Sequence, residues 1–343
     1  MRAHPLWQLT VARWKELYRE PGILFWVFGF PVLLAVGLGI AFQEGPPEPQ
    51  RVAVVAGADW LVQSLDPETV DARVLAADAA AEALARGQVD LVVEEGGRPW
   101  TVTYRYDPSR PESQLARAVV DASIQDANGR EDALIATDEA LTERGSRYVD
   151  FLLPGLIGLN LMGSSMWGIG YSVVLSRKRR LLKRLAATPM RRSHYLLSYL
   201  ISRTGLLVLE VAALVGVGWW LFDVAVHGSL LALALVATLG GACFSGLALL
   251  IAARLDNTEI ANGWMNFVQL PMWILSGCFF SYERFPEWLH WPIQSLPLTA
   301  VNDALRAIMN QGAGVFELGP ELAVMGLWGG ISFAIALRRF RWQ

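Results

Sequence analysis

Six stretches of the chain read as nearly unbroken apolar runs, each bounded by charge, proline or glycine: Ile23–Phe42, Val149–Leu175, Leu196–Phe222, Ser229–Ala253, Thr258–Phe280 and Gly319–Leu337. A helix needs about 20 mostly apolar residues to cross a bilayer, so the pattern predicts six transmembrane helices. Small residues recur inside the runs, as in Gly163-Ser164-Ser165 with Gly168 and Gly170, and suit close helix packing in lipid. The pattern as a whole predicts a polytopic α-helical membrane protein. It has six transmembrane helices, an amphipathic N-terminal interfacial helix and a small extracytoplasmic α/β domain.

The interfacial helix is read from residues 1–22. Trp7, Val11, Trp14 and Tyr18 recur at helical spacing, as do Leu6, Leu9 or Thr10, Arg13 and Leu17. Such a stretch lies in the headgroup layer, and Pro21-Gly22 breaks it before the first span, residues 23–42. Residues 43–147 form the one sizeable polar region. "PPEPQ" (Pro46–Gln50) is a stiff linker. Arg51–Val55, Asp90–Glu95 and Thr101–Tyr106 read as strands, Asp78–Gln88 as a helix stopped by Gly87, and Pro111–Glu143 as one or two more helices. That is enough chain for a modest core. Residues 148–343 hold spans two to six. Within them, the outer segment 281–318 is rich in Trp and Pro, with Trp288 and Trp291 as interface anchors. It reads as short helices re-entering the outer leaflet.

Composition agrees with a membrane protein: 53% of the 343 residues are hydrophobic, 14 are Trp, and mean hydropathy is +0.34. No cleavable signal peptide is expected, because the first apolar run follows a charged helix and lacks a small-residue cleavage site. Cys243 and Cys278 both fall in apolar runs and read as small buried residues. The net charge of -3 hides a segregation that sets orientation. Arg2, Arg13, Lys15 and Arg19 precede the first run, and Arg177, Lys178, Arg179, Arg180, Lys183, Arg184, Arg191 and Arg192 lie between runs two and three. Arg254 follows run four, and Arg338, Arg339 and Arg341 end the chain. Asp223–Gly228 has no Lys or Arg, and residues 43–147 have no Lys, His or Cys and an acidic excess. Both termini and the basic loop 176–195 are therefore expected in the cytoplasm, the polar region outside. Topology and anionic headgroups both account for such a loop. Nucleic acid does not, since no binding module surrounds it.

Three segments in order, "LLKRLAATPMRR" (Leu181–Arg192), "LPMWILSGCFFSYERFPEWL" (Leu270–Leu289) and "LPLTAVNDALR" (Leu296–Arg306), resemble the ABC-2 type transporter permeases. These are the membrane subunits of ATP-driven exporters. The resemblance covers essentially the whole chain, and the large outer region matches the longer branch of the family. It implies that the basic loop is a coupling helix docking on a separate ABC ATPase. Leu181, Leu182, Leu185 and Ala186 would be its apolar stripe, Arg179 a flanking charge, and Thr188-Pro189 its stop. Many members carry a Glu followed by Gly where Lys178 and Arg180 stand here, which implies a more acidic groove on the partner. No G-x-x-x-x-G-K-[ST] pattern occurs. The chain is therefore expected to be no enzyme and to bind no cofactor or metal. ATP and Mg would belong to the partner chain. A second permease copy or a paralogue is implied, as is a bacterial inner-membrane location with lipid contact.

Polar residues inside the runs are the remaining candidates. Asn262, Asn266 and Gln269 share one helical face in run five, and Asn160, Ser164 and Ser165 lie in run two. The resemblance implies that Asn160, Ser164, Asn266 and Gln269 line a translocation path. As residues they equally suit helix–helix hydrogen bonding. Glu210 is an ionisable group near the middle of run three, with Arg203 two turns away on a similar face. Leu233 is read as lipid-facing. The alternative function is a membrane-anchored sensor or scaffold whose outer domain binds a ligand and whose basic loop recruits a partner. An intramembrane enzyme lacks any paired catalytic motif.

Overall fold

The computed structural model describes residues 5–19, 21–42, 49–96, 101–130, 147–181 and 192–340. Two compact units emerge, Glu44–Leu141 and the remainder, Met1–Gln43 with Thr142–Gln343.

In the remainder, α1 (Pro5–Arg19) packs against α7 (Arg192–Phe222). Thr10 is buried and its hydroxyl donates to the Leu6 carbonyl. Trp14 lies against Gly205, where a Cβ would come within 2.9 Å of the indole. Trp7 and Tyr18, on the same stripe as Trp14, stay exposed. The next helix, α2, joins Pro21–Leu24, a π-helical stretch Phe25–Gly29 and Phe30–Ala41. Then α6 (Tyr148–Lys178) runs through the centre, with 78% of its apolar stretch buried and a π-helical stretch of its own at Met166–Tyr171. The set is completed by α8 (Leu230–Ala252), α9 (Thr258–Leu275), the short helices α10 (Glu287–Gln294) and α11 (Pro297–Arg306), and α12 (Gly319–Arg339).

Helices α6, α7, α8 and α12 contain stretches long and apolar enough to cross a membrane. The stretch Phe25–Ala41 of α2 is a shorter apolar helix. The apolar pattern of run five extends to Phe280, but α9 ends at Leu275 and the chain turns through Gly277 at φ 67°. Only glycine takes that left-handed geometry without strain. Polar Glu259, Asn262, Asn266 and Gln269 lower the hydropathy of α9.

Three arginines tie this unit together by capping helix C-termini, whose last carbonyls have no partner within the helix. Arg147 binds Asp150 at 2.8 Å and donates to the carbonyls of Phe222, at 3.0 Å, and Asp223, closing α7. Arg177, only 7% exposed, donates to the carbonyls of Ala252, Ala253 and Leu255, closing α8, and lies over the Phe340 ring. Arg306 donates to the Gly277 carbonyl just beyond α9 and stacks on Phe151. Positive charge also suits the negative end of a helix dipole. Arg177 thus belongs to the packed interior and not to the solvated basic cluster in which the sequence placed it. Another repair concerns Pro154 inside α6. It has no N–H to give the Asp150 carbonyl four residues back, and Asn310 Nδ2 donates to that carbonyl at 3.0 Å.

Small residues bring α8 and α12 together. A Cβ at Gly329 would sit 3.0 Å from Cys243 Cα, whereas one at the adjacent Gly330 would meet nothing. Cys243 and Cys278 are both free and buried. Gly329→Ala should therefore destabilise the protein by about 1–3 kcal/mol through overpacking against backbone. Gly330→Ala should be neutral or stabilising by up to about 1 kcal/mol through its helix preference. Thermal melting in detergent compares the two, and equal shifts would contradict this crossing. Leu233, read as lipid-facing, is instead buried at 4% exposure; the apolar residues around it on α8 carry no mark that separates its inner face from its outer one.

The unit Glu44–Leu141 is built on a sheet of β1 (Gln50–Val55), β2 (Val70–Leu75), β3 (Leu91–Glu95) and β4 (Val102–Arg105), in the order β2-β1-β3-β4. β1 pairs in parallel with β2 and β3, and β4 is antiparallel to β3. Its helices are α3 (Asp59–Gln63), α4 (Ala77–Ala85) and α5 (Pro111–Ala127). The central strands are apolar on both faces. Val52, Val54, Leu91 and Val93 meet α3 and α5, while Ala53 and Val92 meet Ala80 and Ala83 of α4. Helices on both faces are what a parallel sheet requires. The sequence pattern does not reveal β2 or α3. β2 is an edge strand with mostly unburied residues, and its "VDARVL" alternates apolar and charged positions over only five residues, too short a signal to stand out from the flanking polar chain. The linker expected over Pro46–Gln50 and the helix expected beyond residue 130 lie largely outside the described residues.

Candidate functional site: a cavity with a polar floor

The larger unit contains a cavity of about 820 Å³ lined by α1, α2, α6, α7 and α9. Its walls are mainly apolar and aromatic, with Trp14, Trp26, Phe30, Trp167 and Trp273 prominent. All four expected path residues, Asn160, Ser164, Asn266 and Gln269, line this one cavity. Their convergence follows from helix geometry. Positions 160 and 164 are one turn apart on α6, and 266, 269 and 273 fall on one stripe of α9.

Beneath the α6 residues lies a buried ion pair. Arg203 and Glu210, seven residues apart on α7, meet at 2.9 Å with side chains 6% and 1% exposed. Arg203 also donates to the Ser164 hydroxyl, which lies 2.8 Å from the same Glu210 oxygen. Asn160 Nδ2 lies 3.5 Å from that oxygen and 3.3 Å from the Val27 carbonyl. Glu210 therefore holds α6 and α7 together while Asn160, Ser164 and Arg203 present their other faces to the cavity. Pairing offsets part of the cost of burying two charges, although Arg203 Nε and Glu210 Oε1 have no partner among the described residues.

Both π-helical stretches border the cavity, through Trp26 and Val27 on one side and Trp167, Gly168, Ile169 and Tyr171 on the other. A π-helical turn disturbs the regular hydrogen-bond ladder and recurs at functional sites. Here the Asn160 amide reaches the Val27 carbonyl within such a turn. Sequence reasoning identifies neither π stretch, and it misses Trp26, Phe30 and Trp167, which composition does not separate from lipid-facing aromatics.

Gln269 is the most isolated polar group of the floor. It is 1% exposed, and neither its Nε2 nor its Oε1 has a hydrogen-bond partner among the described residues. The same holds for Trp273 Nε1, one turn on. Asn266, by contrast, is exposed.

Of the expected coupling residues, Arg179 and Leu181 are described. α6 ends at Lys178, Arg180 takes a left-handed conformation at φ 55°, and Arg179 and Leu181 are both exposed. Leu182, Leu185, Thr188 and Pro189 lie outside the described residues. In the smaller unit, Tyr104 donates to Asp121 at 3.0 Å, and Arg117 lies over the rings of Tyr104 and Tyr106. Burial, reinforced by Asp121, pushes the Tyr104 phenol well above its usual range. This cluster packs β4 against α5.

Residues 21–338 match the model of the ABC-2 family transporter protein. The chain is also 26% identical over 232 residues to ABC transporter G family member 20 of Dictyostelium discoideum, a match covering 67% of this chain and 30% of that protein. The chain thus corresponds to less than a third of that relative's length. With the family match running through every helix of the larger unit after α1, the chain belongs to the ABC-2 family of transporter proteins.

Proposed function

We propose that this chain is the membrane-spanning permease subunit of an ATP-driven exporter, coupled to a separate ABC ATPase that binds ATP and Mg. The observation that carries this reading is the cavity, where polar residues of α6 and α9 converge among aromatic walls inside a helical membrane unit. Two copies, or one copy and a paralogue, would complete the path. In this reading α2, α6, α7, α8, α9 and α12 are six spans. α1 lies in the cytoplasmic interface with Trp7 and Tyr18 in the headgroups. In this reading both termini and the basic segment lie in the cytoplasm of a bacterial cell and the α/β unit lies outside the inner membrane, an orientation that the Arg and Lys distribution supports.

The basic segment immediately after α6 is the coupling element, docking by Leu182 and Leu185. Leu182→Asp and Leu185→Asp should each abolish permease-stimulated ATP hydrolysis while the protein still reaches the membrane folded, because a buried apolar contact tolerates a charge at a cost of several kcal/mol. Arg179→Ala should cost about 1 kcal/mol or less, as exposed charges do. ATPase assays on membranes carrying the chain with its partner give the answer. Normal stimulation in both leucine variants would remove this segment as the dock.

A further inference from the structure

Resting on the permease reading, the cavity floor further defines what the cavity takes. The Gln269 carboxamide is 1% exposed and lines the cavity, with donors and acceptor both unmatched among the described residues. Trp273 Nε1 adds one more unmatched donor beside the same cavity. Leaving buried polar groups unmatched is costly, so an occupant that satisfies them gains selectivity over one that does not. A carboxylate would accept from Gln269 Nε2 and Trp273 Nε1 but leave Oε1 facing an anion. An ammonium would donate to Oε1 but leave both N–H groups facing a cation. Only a group that accepts and donates at adjacent atoms answers all three. The ion pair next to this floor is internally neutralised, Arg203 by Glu210 at 2.9 Å, and the two atoms it leaves unmatched among the described residues, Arg203 Nε and Glu210 Oε1, are one donor and one acceptor, so it adds little preference for either sign. The walls supply indole and phenyl faces, and about 820 Å³ accommodates an occupant of drug-like size.

We propose that the cavity takes an uncharged amphiphile, seating an amide- or hydroxyl-type group against Gln269 and Trp273 and an apolar, flat body among Trp26, Phe30 and Trp167. The test uses three probes of one size: 1-pyrenebutanamide, 1-pyrenebutyrate and 1-pyrenebutylammonium. Energy transfer from tryptophan to pyrene reports binding to the full chain in nanodiscs, with empty nanodiscs as the correction for partition. The native chain should prefer the amide over both ions by about tenfold. Gln269→Leu should retain pyrene binding and lose that preference, and Gln269→Asn should recover part of it. Melting temperatures establish that the variants are folded.

The inference is overturned if an ionic probe binds best or if none binds. It is also overturned if Gln269→Leu keeps the native preference, which would mean that solvent alone satisfies the carboxamide. None of these results bears on coupling to the ATPase, which the leucine variants measure separately.

Discussion

Glu210→Leu should destabilise the protein by about 3–5 kcal/mol, the cost of stranding a buried charge. Arg203 is 6% exposed and its counter-ion lies 2.9 Å away. Removing the carboxylate also takes a partner from the Ser164 hydroxyl and from the Asn160 amide. Arg203→Met should be nearly as harmful, because it strands Glu210 instead. The double variant Arg203→Met/Glu210→Leu should recover most of the loss, since an apolar pair of similar volume replaces the ion pair without an orphan. Reversible denaturation in mixed micelles of the four proteins forms a double-mutant cycle. A double variant as unstable as the sum of the singles would show that the two side chains act independently, against this geometry.

The polar network is half legible in the sequence. Two residues seven apart share a helix face, so spacing alone puts Arg203 and Glu210 within reach of each other. The involvement of Ser164 and Asn160 is not legible, because it depends on which face α6 turns to α7. The stripe of Asn266 and Gln269 is visible as a polar face on an otherwise apolar run. Its meeting with α2 across a cavity is not, since Trp26 and Phe30 look like any aromatic residue in contact with lipid.

Long-range capping is the largest omission. Arg177 sits among basic residues in sequence, yet its partners are the carbonyls of Ala252, Ala253 and Leu255, more than seventy residues away. Backbone carbonyls leave no trace in a residue pattern, so a capping arginine and a solvated one read alike. Arg147 and Arg306 repeat the lesson at α7 and α9. Leu233 shows the complementary failure. Where almost every residue of a helix is apolar, as across α8, burial and lipid contact have the same signature.

The second large effect concerns Gln269 as a gate position. If the cavity belongs to a path driven by a partner ATPase, nucleotide must shift it between two states of different access. A cysteine in place of Gln269 reports that access without any need to know the substrate. Cys243 and Cys278, the native thiols, are buried away from the cavity, whereas position 269 lines it and a cysteine there, shorter than the carboxamide it replaces, opens its thiol to the cavity. Arg339→Cys serves as the control, since Arg339 is exposed at the end of α12 that the permease reading puts in the cytoplasm and does not line the cavity. Gln269→Cys should react with a small, membrane-impermeant methanethiosulfonate applied to inside-out vesicles that hold the chain with its ATPase. Trapping the ATPase with a non-hydrolysable ATP analogue should slow that reaction by about tenfold or more, corresponding to a shift of at least about 1.4 kcal/mol between the states. Arg339→Cys should react at one rate throughout. The alkylation rate of Gln269→Cys with and without the trapped nucleotide is the most direct measure of the proposed transport role: a nucleotide-dependent fall confined to position 269 is the predicted result, and identical rates in the two conditions would contradict it.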